Sequence, residues 1–335
     1  MNYRDFAANI TRFSVNMAHI YNITCACAKN ISTFARMKIL IALLKGLSHL
    51  PLRLLYVLSD VLFVLVYYVV RYRRGVVRRN IEASFPERTI VERRGIERDF
   101  YRFFCDYIVE TIKLLSISEE EIKRRMIIEG MPRLEESLEK CPFAFIYLGH
   151  YCNWEWVSSI PLWGEHGRVP SAQLYRPLKN KAFDRLFLDL RQRFGSKSIS
   201  KYEALRQILK MKAEGVRSIV GFVSDQSPLP NSIHEWADFL HQDTPVFTGT
   251  ERIAKKVGAA IYIADVQRVR RGYYHMHLHL VTEEPAKYPD YELTQLYMKE
   301  LERMIRRQPH LWLWSHKRWK HTRESVAREL AKHKA

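Results

Sequence analysis

Residues 54–70, LLYVLSDVLFVLVYYVV, are apolar at every position except Ser59 and Asp60, and the basic stretch RYRRGVVRR follows at once. No other feature narrows the choice of fold as far. A bilayer core takes about 20 apolar residues, with a lower limit near 17. The run is therefore a short membrane span or a helix lying in the interface. Asp60 is costly against lipid. Tyr67, Tyr68 and Tyr72 suit an interfacial belt, and five arginines within 71–79 suit the cytoplasmic flank of an anionic membrane. The competing reading is a buried core helix with a solvated basic turn. The apolar character begins at Met37, so residues 37–72 are expected to be a membrane-anchoring region.

Residues 1–36 show little periodicity and lack the parts of a signal peptide. They are expected to be a weakly structured extension, with Met37 as an alternative start. Asn22-Ile23-Thr24 and Asn30-Ile31-Ser32 fit the glycosylation acceptor pattern, which has meaning only in a secreted eukaryotic chain. No repeat or low-complexity linker divides residues 73–335, which read as one domain. The formal net charge of +18 predicts an anionic partner: nucleic acid, an acidic membrane surface or an acidic protein. The arginines cluster beside the apolar run and no nucleic-acid motif is present, so nucleic acid is set aside. Cys25, Cys27, Cys105, Cys141 and Cys152 form no CxxC pair, which argues for a reducing compartment and for cysteines as small buried residues.

The pattern beyond residue 73 predicts an α/β fold. Residues 76–117 read as helical. PFAFIYL (142–148), AQLY (172–175), RSIVGFV (217–223) and AAIYIADV (259–266) read as strands, and YYHMHLHLV (273–281) alternates as a strand exposed on one face. Helices are expected over 153–164, 180–194, 201–214, 248–257 and 292–307. Alternation of strands with helices indicates a sheet flanked by helices.

One segment carries chemistry. In LGHYCNWEW (148–156) a strand ends at Leu148, a flexible Gly149 follows, and His150 is placed at the carboxyl edge of the sheet, where ligands bind in open α/β folds. A helix starting near Asn153 puts Glu155 in its first turn, within reach of the imidazole. A carboxylate on one ring nitrogen fixes the tautomer and makes the other a better base. Spacing alone leaves open a surface histidine beside a helix-starting carboxylate. His275, His277 and His279 alternate on one strand face and read as a polar face, because no carboxylate is evident in register with them; no metal is expected. Tryptophans 154, 156, 163, 312, 314 and 319 crowd two regions, either lining a groove or buried in the core.

GHYCNWEW resembles the HX4E/D motif of the lipid A late acyltransferases, a family within the wider glycerolipid acyltransferases. RRNIEASFP (78–86), LYRPLKNKAFDRLFLDLRQRFG (174–195), VSDQSP (223–228), FTGTERIAKKVGAAI (247–261) and WLWSHKRWK (312–320) resemble further blocks of that family in the same order, over roughly residues 37–320. The resemblance implies a glycerolipid-acyltransferase-like mixed sheet with an N-terminal membrane-anchoring helix. It implies an O-acyltransferase of the bacterial inner membrane, its catalytic domain on the cytoplasmic side.

The implied donor is an acyl thioester on acyl carrier protein, which is acidic. The implied acceptor is a phosphorylated, already acylated glucosamine disaccharide, a lipid A precursor. His150 is then the general base and Glu155 the residue that orients it. Arg176 is the candidate for the oxyanion or a phosphate, together with Arg318 and Lys320; Arg185 and Lys317 are further candidates. Asp225 would support the site by holding an arginine, and Gly149 by its flexibility. No cofactor is implied. Cys152, inside the motif, reads as a packing residue, and the chain has no GxSxG nucleophile elbow. Two alternatives stand beside this reading. One is acylation of a lysophospholipid or aminolipid by the same chemistry, with coenzyme A as a possible carrier. The other is a basic, non-enzymatic membrane adaptor indifferent to loss of His150.

Overall fold

A computed structural model describes residues 33–332. The expected extension over 1–36 lies outside the described residues except for its last four positions, which begin a helix. The helices are α1 (Thr33–Ser48), α2 (Leu52–Val64), α3 (Arg74–Ser84), α4 (Ile90–Lys113), α5 (Glu119–Arg125), α6 (Met131–Lys140), α7 (Lys181–Gln192), α8 (Ala204–Ala213), α9 (Gly249–Val257), α10 (Glu292–Arg307) and α11 (Arg323–Lys332). The strands are β1 (Met126–Glu129), β2 (Phe143–Leu148), β3 (Ser171–Tyr175), β4 (Lys197–Ser200), β5 (Ser218–Val223), β6 (Glu235–Phe239), β7 (Gln242–Val246), β8 (Ala260–Arg270) and β9 (Tyr273–Thr282).

Seven strands form one mixed sheet in the order β1-β9-β8-β2-β5-β3-β4, and β6 and β7 form a separate hairpin. Only the β8–β9 pair is antiparallel within the large sheet; β2 runs parallel to both of its neighbours, β5 and β8. All six residues of β2 are buried. A strand covered on both faces is apolar throughout, whereas β9 buries Tyr274, Met276 and Leu278 and turns its histidines outward. The helical stretch expected over 76–117 is two helices, divided where Pro86 removes a donor and Thr89 caps α4 with a reciprocal Thr89–Glu92 box. Pro161 holds residues 156–163 to a 3-10 helix.

The β1–β9 pairing changes one expectation. Glu129 stands opposite His277 in register, and its carboxylate lies 3.0 Å from His275 and 3.2 Å from His277. A carboxylate does pair with that histidine face, because a strand distant in sequence supplies it. No group of three or more His, Cys, Asp or Glu able to hold a metal occurs among the described residues.

The apolar run forms a helix over Leu52–Val69, 18 residues with mean hydropathy 1.9, long and apolar enough to cross a membrane; its last turn is a π-helix. In α2, Leu52, Leu55, Ser59 and Phe63 are buried, a spacing of 3, 4 and 4 that places them on one face against α4. Leu54, Val57, Val61 and Val64 face outward, each more than half exposed. The two polar residues of the run belong to the protein contact. Ser59 donates to Asp106 (2.7 Å), and Asp60 pairs with Arg271 (2.7 Å).

Candidate active site

The sheet itself brings the key residues together. Leu148 of β2 pairs with Val223 of β5, and Ser224 N donates to Leu148 O (3.0 Å), so the two parallel strands run off their carboxyl ends side by side. His150 follows one strand and Asp225 the other. The main chain at Gly149 passes so close to α10 that a Cβ there would meet Leu301 Cδ1 at 2.8 Å. A side chain there would have to displace the end of the Leu301 side chain, so glycine fits for reasons of space.

Asp225 is buried. Its Oδ1 lies 2.5 Å from His150 Nδ1, and its Oδ2 accepts from His150 N (2.8 Å) and Trp312 Nε1 (2.8 Å). Burial opposes ionisation, but the adjacent imidazole and these donors outweigh it and hold the carboxyl below its ordinary range. A carboxylate only accepts, so Nδ1 carries the proton and Nε2 the lone pair. Nε2 lies 3.1 Å from the side-chain nitrogen of Gln226, which donates to it. Trp312 arrives from the far end of the chain: Tyr151 and Trp312 form an antiparallel bridge, and Leu313 N donates to His150 O (3.1 Å).

The carboxylate on Nδ1 is thus Asp225, which was expected to hold an arginine, and not Glu155, which was expected to orient the histidine. Glu155 is buried in the same loop and takes two hydrogen bonds from Arg191 of α7 (2.8 and 2.6 Å), with Tyr107 Oη at 3.4 Å. Burial alone would lower the Arg191 pKa; Glu155 reverses this and raises it. Sequence reasoning named Arg176 and Arg185 from that block but missed Arg191. Its position on α7, one turn beyond Phe187, was the available signal.

His150, Glu155 and Arg191 line a cavity of about 760 Å³, within the range of ~300–1,000 Å³ typical of small-ligand sites. Gln226, His316, Arg176, Lys317 and Lys320 are among its polar lining residues, with Asp184 and Lys201; Ile146, Ile160, Ile219, Phe222 and Ile253 are among the apolar ones. Lys320 is held below its ordinary pKa first by burial and then by Arg176, which places two cations close together. Burial, followed by the nearness of His150, pushes His316 down to about 3, so it is neutral near pH 7. Arg185 is exposed and outside the cavity lining.

Arg318 is also outside it. That side chain is wholly buried, donates to Pro245 O (2.8 Å), and is pushed down to about 10 by burial. Its Nε and Nη1 have no hydrogen-bond partner. Its burial withdraws it from the substrate contact expected of it. Cys152 is buried at φ 54° with its thiol raised by burial, and packs against Val266 O (3.7 Å). Trp154 lines the cavity edge-on to His150, whereas Trp156, Trp312 and Trp314 are core residues.

Residues 29–321 match the model of a family described as bacterial lipid A biosynthesis acyltransferase. The chain is 25% identical over 255 residues to the lipid A biosynthesis palmitoleoyltransferase of Escherichia coli (strain K12), covering 74% of this chain and 79% of that protein. It is 25% identical over 280 residues to the lipid A biosynthesis lauroyltransferase of the same organism, covering 83% and 89%. A lipid A biosynthesis acyltransferase of Shigella flexneri matches at 25% over 255 residues.

Proposed function

The chain belongs to the bacterial lipid A biosynthesis acyltransferase family and is an acyltransferase, and from that premise we propose that it moves a fatty acyl chain from acyl carrier protein to a hydroxyl of a lipid A precursor, with His150 as general base. The observation that carries this reading is the line Asp225–His150–Gln226, whose His150 and Gln226 line a largely apolar cavity. The acceptor hydroxyl replaces the Gln226 amide on Nε2 and gives up its proton there. Its oxygen attacks the thioester carbonyl. The carbon–sulfur bond breaks, and the thiolate leaves with the proton that His150 received. Asp225 fixes the tautomer and stabilises the imidazolium. Glu155 holds Arg191 in the cavity lining, and that guanidinium is our candidate for stabilising the developing oxyanion. The apolar part of the cavity takes the acyl chain. Arg176, Lys317 and Lys320 at its polar part meet phosphate on the acceptor.

The outward apolar face of α2, with the basic block after it, docks on an anionic lipid surface. The buried opposite face and the Asp60–Arg271 pair favour a helix lying in the interface over one crossing the bilayer. Residues 37–72 are then the anchoring region, and the remaining chain works at the cytoplasmic surface of the inner membrane. The test is the intact lipid A mass spectrum of a strain lacking the gene. A species short by one acyl chain, restored by the wild type but not by His150→Ala, is the expected result. An unchanged lipid A profile with an altered phospholipid fraction would replace the acceptor by a lysophospholipid.

A further inference from the structure

Glu110, near the end of α4, is wholly buried and lies outside the cavity lining. Its carboxylate accepts three hydrogen bonds from three separate parts of the molecule. Tyr56 Oη of α2 donates at 2.8 Å, Tyr274 Oη of β9 at 2.6 Å, and Asn153 Nδ2 at 2.7 Å. Asn153 sits between His150 and Glu155. Its Oδ1 accepts from Trp156 N (3.2 Å), and Trp156 Nε1 donates to the main-chain oxygen of Glu110 (3.1 Å). One buried residue therefore joins the apolar helix to the loop that carries both candidate catalytic side chains.

We propose that Glu110 is a positioning residue through which the seating of α2 sets the His150–Glu155 loop, so that docking on an anionic lipid surface tightens the active site. The inference rests on the reading of α2 as a lipid-docked helix and of His150 as the base. In water the outward residues Leu54, Val57, Val61 and Val64 remain hydrated. Burial of apolar surface contributes about 25 cal/mol per Å², so a lipid surface adds to the stability of this helix more than to any fully packed one. Elements of low local stability open most readily. Tyr56 is closely confined: a Cβ at Gly272 would lie 2.0 Å from its hydroxyl. Displacement of α2 therefore strips Tyr56 from Glu110 and leaves a buried carboxylate short of a donor, which disturbs its hold on Asn153. A second tie moves with it, since Ser59, Arg268 and Arg271 all meet on Asp106.

The test uses the purified full chain at about pH 8, above the raised Glu110 value of about 7, with and without vesicles of phosphatidylcholine and phosphatidylglycerol in equal parts. Hydrogen exchange is followed at the amides of residues 150–156, and vesicle binding by flotation. In the wild type, vesicles should slow exchange of this loop by about tenfold, the scale of one buried hydrogen bond to a charged group. Tyr56→Phe and Glu110→Gln should float like the wild type and lose that increment. A merely structural role would change exchange equally with and without vesicles. The same increment in both variants, or none in the wild type, overturns the proposal. A chain that does not float overturns the docking reading along with it. His150→Ala separates the catalytic reading: it should keep the increment and lose turnover. Turnover retained in that variant would sink the role of His150, while the exchange result still judges Glu110.

Discussion

A distance of 2.5 Å between Asp225 Oδ1 and His150 Nδ1 distinguishes two carboxylates that the sequence alone does not separate. Asp225→Asn preserves the shape of the site but not the charge that, in the proposed mechanism, stabilises the imidazolium. Turnover by the purified enzyme should fall by roughly 10²–10⁴-fold with little change in melting temperature. Glu155→Ala should behave differently. It leaves Arg191 partly buried without its partner, and breaking a buried pair costs about 3–5 kcal/mol. Its melting temperature should therefore drop clearly, and a melt matching that of Asp225→Asn would refute the division of roles. Cys152→Ser should retain most activity, since the thiol is buried and raised; a complete loss in a variant that melts like the wild type would contradict its reading as a packing residue. His150 was legible because a strand, a glycine and a histidine in succession mark a sheet edge. Its partner was not, because 75 residues separate it from Asp225 and only strand pairing closes that gap.

At the level of elements, α2 and α4 make a pair whose chemistry neither shows alone. Burial raises the Glu110 carboxyl to about 7 even though the Tyr274 and Tyr56 hydroxyls favour the charged form. Between the ordinary value of 4.5 and about 7 the folded chain holds a proton that the unfolded chain has released. Stability contributed by this group is therefore present below that window and is lost as pH rises through it. Denaturant melts at about pH 5 and about pH 8 should show this fall, and Glu110→Gln should reduce it. On the outer face of α2, Val57→Asp with Val61→Asp should abolish vesicle flotation without unfolding the chain, because both side chains are already solvent-exposed. The sequence showed the apolar run and its length. It did not show that one face of the helix is taken by α4, because the run is apolar on both sides. The strands β1, β4, β6 and β7 escaped notice because they are short and, unlike the equally short β3, carry charged residues or a proline, as in β4 (KSIS), β6 (EWADF) and β7 (QDTPV).

Taken whole, the molecule carries +18 formal charges and a cavity whose polar part gathers Arg176, Lys317 and Lys320. Under the proposed function the donor rides on an acidic protein, and attraction of such a protein to this surface is screened by salt, with a Debye length of about 8 Å at physiological ionic strength. The KM for the carrier-borne donor should rise with added salt while kcat changes little; a KM indifferent to salt would remove the electrostatic account of donor recruitment. By itself, the sequence determined the α/β class, the apolar segment with its basic flank, the loop bearing His150 and Glu155, and the likeness to the acyltransferase family. These are written in local period, in composition and in short motifs, and each lies within a span that neighbouring residues define. Only the tertiary structure decided which carboxylate holds the histidine, that Arg318 is buried while Arg191 lines the cavity, and that Glu110 ties the apolar helix to the His150–Glu155 loop. Those contacts join residues tens to hundreds of positions apart, and their geometry follows from strand order and helix packing, which no local pattern encodes.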